Sequence, residues 1–178
     1  MFRLEIILGP MFSGKSTELL RRISRYEAIG QKILLINHTN DSRTGDSVKT
    51  HDKITRTALK TDNLEELLQT NEYKEADVIG IDEAQFFTGL RDFVLATESK
   101  HKIIIMSGLD GDYKREAFGE ILQCIPLCDS VVKLSAMCMI SKDGTPGIFS
   151  KRIVNNSLQT LVGASETYVA TSRKHYLD

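Results

Sequence analysis

The sequence has 178 residues, of which 41% are hydrophobic and 26% are charged, as in an ordinary globular protein. Its net charge of −1 provides no basic surface for nucleic acid, and no apolar run approaches the roughly 20 residues of a membrane-spanning helix. The three cysteines lack the spacing of a disulfide framework and favour a reducing compartment. We therefore expect a cytoplasmic protein that binds neither nucleic acid nor a membrane.

Strands and helices are predicted to alternate along most of the chain. Near-continuous apolar runs predict strands at 3–9, 32–37, 77–82, 102–111 and 130–137. Apolar residues at helical spacing predict helices at 16–30, 62–69, 88–97 and 115–125. The second helix is expected to be capped by Asp62, and the last to stop at Pro126. The polar segment 40–52 is expected to be a loop or flap. This alternation predicts an α/β fold with a parallel sheet covered by helices on both faces.

The pattern changes after Met137. From there the sequence has short extended pieces, Gly-Pro turns and no helical period. We therefore predict two domains, an α/β domain at 1–134 and a small domain of hairpins and loops at 135–178.

Residues 9–16, GPMFSGKS, match the phosphate-binding motif G-x-x-x-x-G-K-[ST] between a predicted strand and a predicted helix. Glycines let successive backbone N–H groups curl around a phosphate, and the helix N-terminus adds positive potential. Lys15 would reach the β- and γ-phosphates of ATP, and Ser16 would bind Mg²⁺. The candidate ATP-binding residues of this loop are Gly9, Pro10, Met11, Phe12, Ser13, Gly14, Lys15 and Ser16.

Asp82 and Glu83 follow directly on the predicted strand 77–82. A P-loop protein needs an acid at the end of a neighbouring strand to hold Mg²⁺, and Asp82 lies in that position. Successive side chains of a strand point in different directions, so Glu83 could face a second substrate. It could activate water, as in an ATPase or a helicase, or accept a proton from a substrate hydroxyl, as in a kinase. A helicase needs a second motor domain and a basic track, for which this chain has no room.

Ordered blocks along the whole chain resemble the type II thymidine kinase family. The blocks are ILGPMFSGKSTELLRR, DSR, THD, IGIDEAQFF, LDGDYKREAFGEI, VVKLSAMC, FSKR and SETYVATSRKHY. The resemblance implies a P-loop NTPase-type α/β domain and a small lasso domain, similar to a zinc ribbon, that closes over the nucleoside. It also implies transfer of the γ-phosphoryl group of ATP to the 5′-hydroxyl of thymidine, giving dTMP.

The resemblance implies roles for individual residues. Glu83 matches the catalytic base, and Asp82 matches the Mg²⁺ acid that acts with Ser16. Lys15 and Arg43 would stabilise the transferred charge. The ATP side would also include Asp41, Ser42, Arg43, Asp82 and Gln85. The nucleoside pocket and the lasso backbone would be formed by Met11, Phe86, Leu109, Tyr113, Phe118, Gln159, Thr160, Leu161, Val162, Gly163 and Tyr168.

The family's zinc site is altered in this chain. Its four ligands come from C-x-x-C and C-R-x-[CH], but here Ser141 and Ser172 occupy two of the four positions, leaving Cys138 and His175. Serine hydroxyl is a poor zinc ligand, so we expect no structural zinc. We expect instead that packing holds the lasso domain and that this domain is mobile until nucleoside binds.

The resemblance further implies a homotetramer and feedback inhibition by dTTP. Two alternatives to thymidine phosphorylation remain open at this stage. One is a kinase of another nucleoside, such as deoxyuridine or deoxycytidine, because a lasso that reads the base through backbone groups leaves little trace in the sequence. The other is a non-catalytic nucleotide-binding regulator.

Overall fold

The computed structural model describes residues 1–40, 47–49, 55–159 and 165–178. Its strands are β1 (Arg3–Leu8), β2 (Ile33–His38), β3 (Ser47–Lys49), β4 (Thr55–Thr57), β5 (Leu59–Thr61), β6 (Val78–Ile81), β7 (Ile103–Gly108), β8 (Ser130–Lys133), β9 (Ala136–Met137), β10 (Pro146–Gly147), β11 (Phe149–Arg152) and β12 (Tyr168–Thr171). Its α-helices are α1 (Lys15–Glu27), α2 (Leu64–Leu67), α3 (Asn71–Glu75), α4 (Leu90–Thr97) and α5 (Arg173–Leu177). Short 3₁₀ helices cover Ala84–Phe86, Glu98–Lys100 and Ile121–Leu127.

A six-stranded sheet in the order β5-β2-β6-β7-β1-β8 forms the centre of the protein, and all its pairings are parallel. Helix α1 buries Leu19, Leu20 and Ile23 against one face, while α2 and α4 pack on the other. Helix α1 lies so close to the sheet that a Cβ atom on Gly80 would be 2.3 Å from Ile23 Cδ1. The predicted α/β fold with both faces covered is therefore confirmed.

The first helix after the β5 strand is capped by a different residue from the one predicted. Asn63 Oδ1, and not Asp62, accepts hydrogen bonds from the backbone N–H groups of Glu65 and Glu66, at 3.0 and 3.1 Å. Asn63 stands immediately before the first helical residue, which is where a side-chain acceptor satisfies the free N–H groups of the first turn. The prediction of Asp62 as the cap was wrong by one position.

The predicted helix at 115–125 is largely absent. Asp112 Oδ1 accepts from the backbone N–H groups of Lys114 and Glu116, at 2.8 and 3.0 Å, and so offers this backbone an alternative to helical bonding. Arg115 takes a left-handed conformation, with φ of +68°, that a right-handed helix excludes. Helical turns begin only at Ile121, as a 3₁₀ helix that contains Pro126 and does not stop at it.

The predicted strand at 130–137 is divided between two sheets. Strand β8 ends at Lys133 on the edge of the central sheet, whereas β9 pairs antiparallel with β10 in a separate two-stranded sheet. The predicted loop at 40–52 contains β3, which pairs antiparallel with β4; its residues 41–46 and 50–52 lie outside the described part of the chain.

Residues beyond Leu134 form small elements. Strands β9 and β10 make one sheet, β11 and β12 make another, and α5 follows β12. This segment touches the motif at residues 9–16, since the backbone N–H of Met11 donates to Ser150 Oγ at 2.9 Å. The division into domains at 134/135 stays a prediction. Within the described ranges, no helix has the length and apolar character needed to cross a membrane.

Candidate active site

The loop at residues 9–16 joins β1 to α1 at the carboxyl edge of the sheet. A Cβ atom on Gly9 would lie 2.7 Å from the Leu134 carbonyl oxygen and from Ser13 Oγ, so only glycine fits there. Gly14 is the N-cap of α1 with φ of +80°. Lys15 Nζ donates to the Pro10 carbonyl oxygen at 2.7 Å, which folds the ammonium back over the loop. The loop thus places a cation and the positive end of α1 in one region.

Asp82 is fixed by two hydroxyl groups. Ser16 Oγ donates to its Oδ2 at 2.8 Å, and Ser107 Oγ, from the end of β7, donates to its Oδ1 at 2.5 Å. Burial, with the nearby charge of Glu83, raises the pKa of Asp82 to about 6, against the opposing effect of the two serine hydrogen bonds. A hydroxyl and a carboxylate in contact form the hard oxygen set that Mg²⁺ prefers, so these residues fit that ion.

Glu83 has partners of its own. Its backbone is left-handed, with φ of +51°, and begins the 3₁₀ helix Ala84–Phe86. Gln85 Nε2 donates to Glu83 Oε2 at 2.7 Å, whereas Asp82 is bonded by Ser16 and Ser107. The two neighbouring acids are therefore held by different groups, as expected if each has a separate task.

Some of the predicted pocket residues lie together. The rings of Phe86 and Phe118 meet edge to face, with centroids 5.6 Å apart at an interplanar angle of 84°. The backbone N–H of Leu109 donates to Gln85 Oε1 at 3.0 Å, which ties the end of β7 to the residues after Asp82. Tyr113 is also a predicted pocket residue, but one face of its ring is covered by Arg152, whose guanidinium carbon lies 3.8 Å from the ring centroid.

Arg152 organises the segment that follows β11, and the sequence reasoning gave it no role. Its guanidinium donates to the carbonyl oxygens of Asn156, Leu158 and Gln159 at 2.9, 2.5 and 3.0 Å, and to Tyr168 Oη at 2.6 Å. The only sequence signal for it is its place at the end of the FSKR block.

Two further contacts connect this segment to the loop around Asp112. Gln159 Nε2 donates to Asp112 Oδ2 at 2.9 Å, and Tyr113 Oη donates to the Ser157 carbonyl oxygen at 3.1 Å. These two contacts and those of Arg152 are called the lasso latch below.

Several predicted site residues lie outside the described residues. They are Asp41, Ser42 and Arg43 of the phosphate side, and Thr160, Leu161, Val162 and Gly163 of the lasso.

The four positions that correspond to the family's zinc ligands do not provide a zinc donor set. Cys138 Sγ lies 3.4 Å from His175 Nδ1, and Ser172 Oγ lies 3.1 Å from the same nitrogen. Ser172 Oγ also caps α5, while Ser141 Oγ donates to Asp143 Oδ1 at 2.7 Å. Both serine hydroxyls are therefore engaged in local hydrogen bonds. Across the described ranges, no three His, Cys, Asp or Glu side chains are grouped to hold a metal ion.

A cavity of about 620 Å³ opens beside the loop at residues 9–16. It adjoins the first turn of α1 and is lined by Phe12, Ser13, Gly14, Thr17, Glu18, Leu134 and Met139. Its wall combines the ring of Phe12 and the apolar side chains of Leu134 and Met139 with the hydroxyl groups of Ser13 and Thr17 and the carboxylate of Glu18.

Comparisons with known protein families and curated proteins identify thymidine kinases as relatives of this chain. The model of a family described as thymidine kinase matches residues 2–176. A thymidine kinase of rice (Oryza sativa subsp. japonica) is 44% identical over 98% of this chain and 66% of its own length. The thymidine kinase of vaccinia virus (strain Western Reserve) is 41% identical over 98% of this chain and 97% of its own length. Among solved structures, domain III of the Thermotoga maritima replication initiation protein DnaA matches 74% of this chain and 54% of its own, with a TM-score of 0.42 and 16% identity.

Proposed function

This chain belongs to the thymidine kinase family, and we propose that its site transfers the γ-phosphoryl group of ATP to the 5′-hydroxyl of thymidine, giving dTMP and ADP. The observation that carries the proposal is the arrangement around Asp82. Its carboxylate contacts Ser16 of the phosphate loop at 2.8 Å, and the next residue, Glu83, has a carboxylate held separately by Gln85. A pure nucleotide binder needs the first contact but has no use for the second.

The phosphate side supplies positive charge and position. Lys15 and the loop N–H groups bind the β- and γ-phosphates, and Arg43 adds charge to the transferred group. Ser16 and Asp82 would hold Mg²⁺, which supplies further positive charge beside the phosphate oxygens. Asp41 and Ser42 are proposed to complete this side. The cavity beside Thr17 would take the adenosine part of ATP, because it adjoins the helix end that binds the phosphates.

Glu83 acts as the general base. It orients the 5′-hydroxyl of thymidine and accepts its proton as the oxygen attacks the γ-phosphorus. The bond between that phosphorus and the β,γ-bridging oxygen breaks, and the electron pair leaves with ADP. Little covalent chemistry falls to the protein, so catalysis depends mainly on positioning and charge.

The nucleoside side is proposed to consist of an apolar pocket and a lasso. Phe86 and Phe118 would contact the nucleoside, with Met11, Leu109 and Tyr113 around them. The backbone of residues 159–163, together with Tyr168, would bind the edge of the thymine. Support comes from the family membership and from the aromatic pair at Phe86 and Phe118.

We further propose that the C-terminal segment binds no structural zinc. Its hairpins are held by the contacts among Cys138, Ser172 and His175, including the hydrogen bond from the Ser172 N–H to Cys138 Sγ at 3.4 Å. A cytoplasmic location, a homotetramer, inhibition by dTTP and a division into domains at 134/135 are proposed from the family resemblance. The free thiols of all three cysteines also support a reducing compartment.

The test is phosphoryl transfer from γ-labelled ATP to a panel of thymidine, deoxyuridine, deoxycytidine and a 5′-deoxythymidine control that lacks the accepting hydroxyl. We expect label in dTMP and the highest kcat/KM for thymidine. ATP hydrolysis that proceeds equally with the 5′-deoxy control would overturn the proposal, since the site would then activate water.

A further inference from the structure

The amide of Gln85 has only one orientation that satisfies its neighbours. Its Oε1 lies 3.0 Å from the backbone nitrogen of Leu109, and its Nε2 lies 2.7 Å from Glu83 Oε2. A backbone N–H can only donate, so the amide oxygen must face Leu109. The amide NH₂ group therefore faces the carboxylate of Glu83, and the hydrogen bond between them is charge-assisted.

Gln85 is also confined by backbone on two sides. A Cβ atom on Gly108 would lie 2.7 Å from Gln85 Oε1, and one on Gly119 would lie 2.0 Å from the Gln85 carbonyl oxygen. Both close approaches exist only because these residues are glycines. The residue is 3% exposed, so water does not compete for its amide. Gln85 is therefore held rigidly between the C-terminal end of β7 and the loop that contains Gly119.

Glu83 needs such a support. Its side chain has three rotatable bonds, and the residue is only partly buried, so packing alone does not select one carboxylate position. A general base must hold its oxygen within hydrogen-bond reach of the proton that it accepts. A misplacement of about 1 Å can cost a factor of roughly 100 in rate.

We propose that Gln85 is a positioning residue that fixes the Glu83 carboxylate for proton transfer and acts through Glu83 and not through ATP. The sequence pattern places Gln85 among the ATP contacts, but both polar ends of its amide are engaged by Leu109 and Glu83. The inference rests on the proposed role of Glu83 as the base.

The first test variant is Gln85→Glu, assayed at a pH at which the new carboxyl is ionised; it preserves the shape of the side chain and the acceptor for Leu109 but replaces the NH₂ donor by an acceptor. The matched control is Gln123→Glu, the same chemical change at an exposed position of the 3₁₀ helix Ile121–Leu127. We expect Gln85→Glu to lower kcat by roughly 10- to 100-fold with the KM for ATP within twofold of wild type. Gln123→Glu should leave both constants unchanged. A raised KM for ATP with a normal kcat would overturn the proposal and favour an ATP contact.

A double-mutant cycle separates positioning from general stability. In a Glu83→Gln background, the new amide at position 83 can itself donate to a carboxylate at position 85. No general base then remains whose carboxylate Gln85 could hold in place. Adding Gln85→Glu should then lower the residual kcat by less than twofold. Equal losses in both backgrounds would mean that Gln85 acts independently of Glu83, and the proposal would fail.

Two controls keep the outcomes distinct. Gln85→Met removes both hydrogen bonds at similar volume, and its kcat should also fall, with nucleotide binding retained as proof that the site is folded. If Glu83→Gln alone has near-normal turnover, the role of Glu83 as the base fails. If Glu83→Gln is impaired while folded Gln85→Glu and Gln85→Met have normal kcat, only the role of Gln85 fails.

Discussion

The phosphate side and the C-terminal segment of this protein are stabilised in different ways. Both hydrophobic core clusters are built from residues up to Leu134, and the phosphate loop, Asp82 and Glu83 stand at the ends of strands anchored in them. Among its described residues, the segment from Ala136 onward has few buried apolar side chains, namely Ala136, Cys138, Tyr168 and Ala170. It is held mostly by polar contacts, with Arg152 as their centre.

These two kinds of stabilisation suit two different requirements of the reaction, fixed catalytic groups and access for the nucleoside. Phosphoryl transfer needs groups that do not move, and strand ends in a close-packed sheet provide them. A nucleoside must enter and leave, and hydrogen bonds at a partly exposed latch can open at a smaller cost than a hydrophobic core. Substitutions on the phosphate side should therefore change kcat, and substitutions in the lasso latch should change the KM for thymidine.

The largest expected effect is that of Glu83→Gln. Loss of the base should lower kcat by roughly 100-fold or more, while a nucleotide analogue binds with unchanged affinity, because the phosphate loop is intact. Rapid-quench turnover and a fluorescent ATP analogue measure the two quantities. A kcat within fivefold of wild type would remove Glu83 from the mechanism.

Arg152→Leu should raise the KM for thymidine by roughly tenfold, with a smaller change in kcat. The substitution removes four hydrogen bonds and the stacking on Tyr113. Because Leu158 and Gln159 are exposed, the loss should weaken the free energy of thymidine binding by only about 1–2 kcal/mol. Steady-state kinetics with thymidine and with ATP varied separately are the measurement. Arg152→Lys should rescue only part of the loss, since lysine lacks the planar fork. A change confined to the KM for ATP would contradict the assignment of Arg152 to the nucleoside side.

Tyr113→Phe should have a small effect. It removes one hydrogen bond to the Ser157 carbonyl but preserves the ring beneath Arg152, so the KM for thymidine should rise less than threefold. Steady-state kinetics with thymidine varied measure this KM, as for Arg152→Leu. A tenfold rise would show that the hydroxyl, and not the ring, is the main component of the latch.

The smallest expected effect is that of a zinc-selective chelator, which should leave the thermal midpoint of unfolding unchanged in the presence of Mg²⁺. The matched variant is the double substitution Ser141→Cys with Ser172→Cys, which restores four ligand positions. It should bind about one zinc per chain and show a raised midpoint that the chelator reverses. A fall of the wild-type midpoint on chelation would show that the native segment holds a metal.

Local patterns were sufficient to predict the strand and the helix on either side of the phosphate-binding motif. The phosphate loop is eight consecutive residues, and its strand and helix follow from the apolar spacing on either side, as β1 and α1 confirm. Asp82 follows from the same reasoning at the end of β6. The serine that bonds its second oxygen, Ser107, lies on another strand, and only strand pairing brings it there.

The features that the sequence did not reveal depend on side chains that bond to loops or to distant residues. Asp112 bonds the backbone of its own loop and prevents the predicted helix before Ile121, although the apolar spacing favours one. Gln85 lies next to the acid pair in sequence, but the left-handed backbone of Glu83 and the turn that follows direct it to Leu109. Arg152 hydrogen-bonds partners up to 16 residues away along the chain and stacks on the still more distant Tyr113, and no periodicity reports such contacts.

The central claim is that Asp82 serves the metal and phosphate side while Glu83 serves the hydroxyl of thymidine. A crystal structure with thymidine, Mg²⁺ and a non-hydrolysable ATP analogue measures this directly. We predict the thymidine 5′-oxygen within hydrogen-bond distance of a Glu83 carboxylate oxygen, about 2.6–3.2 Å, and the metal ion on the side of Asp82 and Ser16. A 5′-oxygen next to Asp82, or one separated from Glu83 by more than the width of a water molecule, would contradict the account.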